Sequence, residues 1–151
     1  MLQEQEYIGV LIGAARRRIR QAVTAQAARY GLKAQEFWVL NAARELPGAS
    51  LGALAERQHM ELPTASRVVA ALGKRGLLKI GPDEHDRRRA LITLTPKGRK
   101  LAGELSRIGR SVRAAVIEGM SGPEQDALRA SLRKILKNLD RYLEEGPRAA
   151  G

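Results

Sequence analysis

The chain has 151 residues, about the length of one domain, with 44% hydrophobic and 28% charged residues and few aromatics. Its Ala, Leu and Arg content favours helices over a sandwich or barrel, and with no cysteine a disulfide framework, a Cys-ligated zinc site and a thiol nucleophile are all excluded. Twenty-seven Lys and Arg against sixteen Asp and Glu leave a formal charge of +11, a field that draws polyanions and makes nucleic acid the expected partner.

Apolar residues at Ile8, Leu11, Ile12, Ala15, Ile19, Ala22 and Val23 recur at three- and four-residue steps and predict one long helix from Tyr7 to about Tyr30, stopped by Gly31. A second helix is expected from Ala34 to about Leu46, with Phe37, Leu40 and Ala43 on one side, before Pro47-Gly48. Ser50 suits the N-cap of a short third helix with Leu51, Leu54 and Ala55 inward. A turn at His59-Met60-Glu61 follows, and Pro63 opens a fourth helix where its missing N–H costs nothing. Ala65, Val68, Val69 and Leu72 form one stripe of that helix, leaving Pro63, Arg67, Ala70 and Lys74 on the opposite face.

Gly76 ends the fourth helix, Leu78-Lys79-Ile80 reads as a short strand, and Ala90–Leu94 as its partner across a turn-rich insert beginning Gly81-Pro82-Asp83. Thr95-Pro96 caps a fifth helix carrying Leu101, Leu105, Ile108, Val112 and Ala115 to about Gly119. Ser121 with Glu124 three residues on is a capping box for a last helix striped by Leu128, Leu132, Ile135, Leu136, Leu139 and Leu143. Beyond Gly146-Pro147 a loose tail is expected from Arg148 to Gly151. The longest early apolar run, Ile8 to Ala15, is far short of the ~20 residues of a membrane span. With Glu4 and Glu6 ahead of it rather than a basic leader, the expectation is a cytoplasmic chain without signal peptide or membrane helix.

Charge is concentrated in the middle. Leu62 to Lys100 holds ten basic and three acidic residues, net +7, against +4 over the remaining 112 residues. A short helix, a turn, a second helix with a free face and a basic hairpin together make a winged helix-turn-helix. The fold expected is therefore mainly α with a small β-hairpin, in three segments: an N-terminal dimerisation helix (1–33), the winged helix-turn-helix (34–100) and C-terminal dimerisation helices (101–151). The aliphatic stripes of the first and last two helices are best buried helix on helix, within the chain and between two chains, with Ile8, Leu11, Leu132, Ile135 and Leu139 at the dimer interface.

The second helix of the motif fits the ~12 Å major groove of double-stranded DNA. Its DNA-facing residues are Pro63, Thr64, Ser66, Arg67, Ala70 and Lys74, with Arg67 the candidate for a bidentate contact to guanine and Thr64 and Ser66 for register. Arg87, Arg88 and Arg89 on the wing suit phosphates or a narrow minor groove. Asp86 and Arg88, two apart in an extended hairpin, are expected on one side of the ribbon, so that the carboxylate holds an arginine in place and supports the wing.

The segment Asp86-Arg87-Arg88-Arg89-Ala90-Leu91-Ile92-Thr93-Leu94-Thr95-Pro96-Lys97-Gly98 resembles the D-x-R, apolar strand and L-T-x-x-G of the MarR family of bacterial transcriptional regulators. Leu54-Ala55, Pro63-Thr64-Ala65-Ser66-Arg67-Val68-Val69, Lys74-Arg75-Gly76-Leu77-Leu78 and Gln35-Glu36-Phe37-Trp38-Val39-Leu40 are similar to other parts of that family's pattern, the last departing from it by one residue inserted or shifted near its aromatic pair. Ser66 departs from the threonine of many members, keeping the hydroxyl and losing a methyl. The resemblance implies a homodimer on a pseudo-palindromic operator, usually a repressor, released by a small phenolic or aromatic carboxylate ligand between its dimerisation and DNA-binding parts. It also nominates Arg88 for the minor groove. In the cleft where the first, second and fifth helices meet, Arg16 and Arg17 are candidates for a ligand carboxylate and Trp38 for an aromatic wall.

His59 and His85 are the only imidazoles, and two histidines on separate loops predict no metal site. No catalytic set or phosphate-binding glycine loop stands out, so neither enzymatic activity nor a cofactor is expected. The rival reading is a basic architectural protein that binds DNA with little sequence preference.

Overall fold

A computed structural model describes residues 6–146 of the chain. The tail expected from Arg148 onward lies outside them.

Helix α1 (Ile8–Ala27) starts after an extended Tyr7 and tightens into a single 3-10 turn, Ala28–Tyr30. Gly31 stops it at φ +66, a left-handed conformation that glycine adopts without a Cβ clash. Helix α2 (Ala34–Glu45) is held at its start by Glu36, whose Oε2 accepts the Lys33 backbone N–H at 2.8 Å. Phe37, Val39, Leu40, Asn41, Ala42 and Ala43 are all buried, so α2 is covered on more than one side and serves as the central helix of its unit.

Strand β1 (Ala49–Ser50) is a two-residue element that the sequence pattern does not announce. Ser50 ends it and also caps helix α3 (Leu51–Arg57), its hydroxyl accepting the Ala53 N–H at 3.2 Å. The turn to helix α4 (Leu62–Lys74) puts His59 at φ +47, a conformation that non-glycine residues adopt uncommonly. Pro63 sits in the first turn of α4, and Ala65, Val68, Val69 and Leu72 are buried as expected.

Strands β2 (Leu78–Pro82) and β3 (Ala90–Leu94) are antiparallel, pairing Leu78 with Leu94, Ile80 with Ile92 and Pro82 with Ala90. The sheet order is β1-β3-β2, with Ala49 opposite Ile92 and Ser50 opposite Leu91. Strand β2 thus continues two residues past its expected end at Ile80. Pro82 is tolerated there because β2 is an edge strand, where a missing N–H leaves no ladder bond unmade.

Helix α5 (Pro96–Ile117) is capped by Thr95, whose Oγ1 accepts the Gly98 N–H at 3.0 Å while its hydroxyl donates to the Gly76 carbonyl at 2.6 Å. Gly98 is set so close to the end of α4 that a Cβ there would overlap the Leu77 carbonyl oxygen and lie 3.0 Å from its carbon. One continuous core joins Val23, Phe37, Leu40, Leu54, Leu72, Leu77, Ile92 and Leu105 from the helices and strands around the motif. Each such side chain contributes about 1.5–3 kcal/mol by leaving water.

The chain divides into two compact units within α5, one extending to Arg113 and the other from Ala114. The second unit holds helix α6 (Gly122–Glu145), which opens on the expected capping box: Ser121 Oγ accepts the Glu124 N–H at 3.3 Å, and Glu124 Oε2 accepts the Ser121 N–H at 2.7 Å. The backbone N–H and then the hydroxyl of Ser121 hold the Glu124 carboxyl below the usual carboxylate range. No residue of α6 is buried, and Leu128, Leu132, Leu136, Leu139, Tyr142 and Leu143 are exposed along it.

Candidate nucleic-acid interface

The amphipathic pattern of α4 turns one face to the core and frees the other. On the free face Pro63, Ser66, Arg67, Ala70 and Lys74 are exposed and Thr64 is half-buried. The Arg67 guanidinium folds back one turn to donate to Thr64 Oγ1 at 3.4 Å, the long end of hydrogen-bond distance. Strands β2 and β3 follow α4 directly in the chain, so the wing springs from the end of the same helix.

The wing tip differs from the extended ribbon expected. Residues 86–89 form a turn, closed by the Arg89 N–H on the Asp86 carbonyl at 2.9 Å, and the Asp83 N–H bonds the Arg89 carbonyl at 3.0 Å. Asp86 Oδ1 accepts the backbone N–H of Arg88 at 3.0 Å rather than its guanidinium. An aspartate side chain two residues behind an amide favours this local bond over an exposed ion pair. Asp83 does the same for the His85 N–H at 2.9 Å. Arg87, Arg88 and Arg89 are exposed, and among the described residues no carboxylate pairs with them. The tip is a braced turn that presents three cations to solvent.

Lys33, Gln35 and Arg75, to which sequence reasoning gave no functional role, lie beside α4. A groove of about 310 Å³ runs between the start of α2 and α4, lined by Lys33, Gln35 and Glu36 on one side and Thr64, Arg67, Val68 and Ala71 on the other. At the C-cap of α4, Arg75 donates to the Gly31 carbonyl at 2.9 Å and the Tyr30 carbonyl at 3.3 Å, and its guanidinium lies 3.6 Å from the largely buried Glu36 carboxylate. Arg75 thus ties the end of α1 to the start of α2 and the end of α4. Its place in a Lys-Arg-Gly run marked the end of a helix, but the backbone partners over forty residues earlier left no sequence signal.

The residues considered for a ligand are placed on two elements. Arg16 and Arg17 are exposed on α1, and Trp38 on α2 is half-buried, meeting Phe37 edge-on with ring centroids 5.0 Å apart. Among the described residues no hydrogen bond joins either arginine to Trp38. Of the apolar residues considered for a dimer interface, Ile8, Leu11, Leu132 and Leu139 are exposed and Ile135 is half-buried. No group of three or more His, Asp or Glu among the described residues is placed to hold a metal ion. No described helix is long and apolar enough to cross a membrane.

The MarR family model matches residues 30–89, from the end of α1 through the helix-turn-helix to the wing tip. The transcriptional regulator HosA of Escherichia coli O111:H- is 30% identical over 101 residues, covering 67% of this chain and 75% of HosA. The chain belongs to the MarR family. It is a DNA-binding transcriptional regulator of the MarR type, in a family of regulators rather than enzymes. Its fold is similar to that of BpsR of Bordetella bronchiseptica, whose DNA binding is regulated by 6-hydroxynicotinic acid; the TM-score is 0.74 at 29% identity, covering 89% of this chain and 96% of BpsR. A MarR family regulator of Listeria monocytogenes, solved with a 26mer DNA, shares the fold at a TM-score of 0.81 and 22% identity, covering 97% of this chain and 100% of that one. The winged helix-turn-helix of this MarR chain is therefore a fold it shares with its relatives.

Proposed function

We propose that this MarR chain acts in the cytoplasm as a homodimeric repressor that binds a pseudo-palindromic operator and is released by a small aromatic carboxylate. The observation that carries the DNA part is the free face of α4, with Ser66 and Arg67 exposed in its first turns beside a wing that presents three arginines. In this reading the first turns of α4 enter the major groove, Arg67 reading a base while Thr64 and Ser66 set register, with Pro63, Ala70 and Lys74 along the same face. Arg87, Arg88 and Arg89 meet the flanking backbone or minor groove.

The dimer is supported by α6, whose exposed apolar stripe a second copy would bury. Segments 1–33 and 101–151 would then hold the dimer, and segment 34–100 the DNA. The ligand part is supported by BpsR, which responds to an aromatic acid, with Arg16, Arg17 and Trp38 as the residues to test. The experiment is selection of binding sites from random duplexes followed by footprinting, with sedimentation in parallel. Protection of two half-sites by a dimer supports the reading. Uniform coating of DNA without a preferred site would favour the architectural alternative, and a monomer at micromolar concentration would remove the two-half-site geometry.

A further inference from the structure

We propose that Lys33 and Gln35, at the start of α2 and outside α3, α4 and the wing strands, hold a DNA backbone phosphate beside the groove that α4 enters. This rests on the reading of α4 as the recognition helix.

Position comes first. Lys33 and Gln35 share one groove with Thr64 and Arg67, so a duplex that meets the first turns of α4 also lies against the start of α2. A helix seated in a major groove about 12 Å wide has a phosphate ridge on either side of it. A side chain that flanks the recognition helix, rather than standing on its exposed face, therefore meets backbone rather than base edges.

Charge agrees with position. Glu36 is the one carboxylate among the groove-lining residues, and it is already committed, accepting the Lys33 N–H at 2.8 Å and facing the Arg75 guanidinium at 3.6 Å. Its negative charge is thus compensated from behind, leaving Lys33 and Arg67 as the cations of the groove without a carboxylate partner among the described residues. Lys33 is exposed, and an ammonium on a flexible stem is suited to a phosphate as a point charge, whereas the planar fork of an arginine suits a base edge. Gln35, also exposed, offers an amide N–H to the same phosphate without adding charge. The division of labour follows: Lys33 and Gln35 on the backbone, Arg67 released from its long bond to Thr64 toward the bases.

A phosphate contact carries no sequence information, so its test needs no operator. Wild type, Lys33→Ala, Gln35→Ala and, as a control for net charge, Lys137→Ala on α6 are titrated by fluorescence anisotropy against a mixed-sequence duplex at several salt concentrations, with thermal melting to confirm folding. Lys33→Ala is expected to weaken binding roughly three- to tenfold and to make the log–log salt dependence shallower by about 0.9 for each phosphate that Lys33 neutralises. Gln35→Ala is expected to weaken binding with the slope unchanged, and Lys137→Ala to leave both near wild type. A Lys33→Ala slope equal to that of wild type, or matched by Lys137→Ala, overturns the contact while DNA binding itself stands. Failure of the wild type to bind any duplex overturns the DNA reading and the contact with it.

Discussion

The Arg75 guanidinium donates a 2.9 Å hydrogen bond to the carbonyl oxygen of Gly31, joining the C-cap of α4 to the glycine that ends α1. Arg75→Ala removes this bond and the one to Tyr30, and also takes the guanidinium away from the largely buried Glu36 carboxylate 3.6 Å from it, so the expected loss is about 1–3 kcal/mol in thermal or urea unfolding. DNA affinity is expected to fall several-fold beyond that, since α4 loses its tether to α1. Arg75→Lys, with a charge but no fork, should recover stability better than affinity. Full affinity in Arg75→Ala would show that α4 is held by its core stripe alone.

Gly98→Ala tests the approach of α5 to the end of α4. The added Cβ would overlap the Leu77 carbonyl, a backbone atom that cannot rotate away, so the helix or the β2 entry must shift. The expected cost is about 3 kcal/mol, the upper range for overpacking, read as a lower unfolding midpoint. Gly103→Ala on the same helix, where nothing lies near the added atom, should be neutral or stabilising because alanine favours helix. Equal behaviour of the two variants would contradict the packing.

For Arg67, the expected result of Arg67→Ala is a loss of roughly 1–3 kcal/mol on the selected operator and relaxed preference at one position per half-site. Equal weakening on operator and random duplex would move Arg67 to the backbone.

At the wing, Asp86→Ala and Arg88→Ala should separate. Arg88→Ala leaves the turn intact, because Asp86 binds its backbone N–H and not its side chain; thermal stability is expected unchanged, affinity roughly tenfold lower and the salt slope shallower by about 0.9 for each phosphate that Arg88 neutralises. Asp86→Ala removes an acid near three arginines, which raises local positive charge, but it also frees the turn. The expected net effect is weaker discrimination between operator and random DNA, with faster amide exchange at Arg88. Unaltered exchange there would mean that Asp86 does not brace the tip.

Most elements were legible from apolar spacing and capping residues: the free face of α4 follows from Ala65, Val68, Val69 and Leu72, and the start of α6 from Ser121 and Glu124. What escaped did so for identifiable reasons. Strand β1 has two residues and so no alternation to detect. Asp86 and Arg88 were expected in an extended ribbon, whereas local side-chain bonding to the backbone curls the tip. Lys33, Gln35 and Arg75 owe their placement to elements distant in sequence, and no periodicity records a backbone carbonyl as a partner.

Strand β1 has a consequence for the thermodynamics of DNA recognition. Ser50 pairs with Leu91 in the wing sheet and caps α3 with its hydroxyl, so the first helix of the motif and the base of the wing share a residue and cannot reorient independently. Fixing one residue's backbone costs about 1–2 kcal/mol of conformational entropy, and for this part of the motif that cost is met during folding. Ordering on DNA then falls on long side chains and on the short tip from Asp83 to Arg89, and a calorimetric signature of large coupled folding is not expected from α3 or from the paired strands.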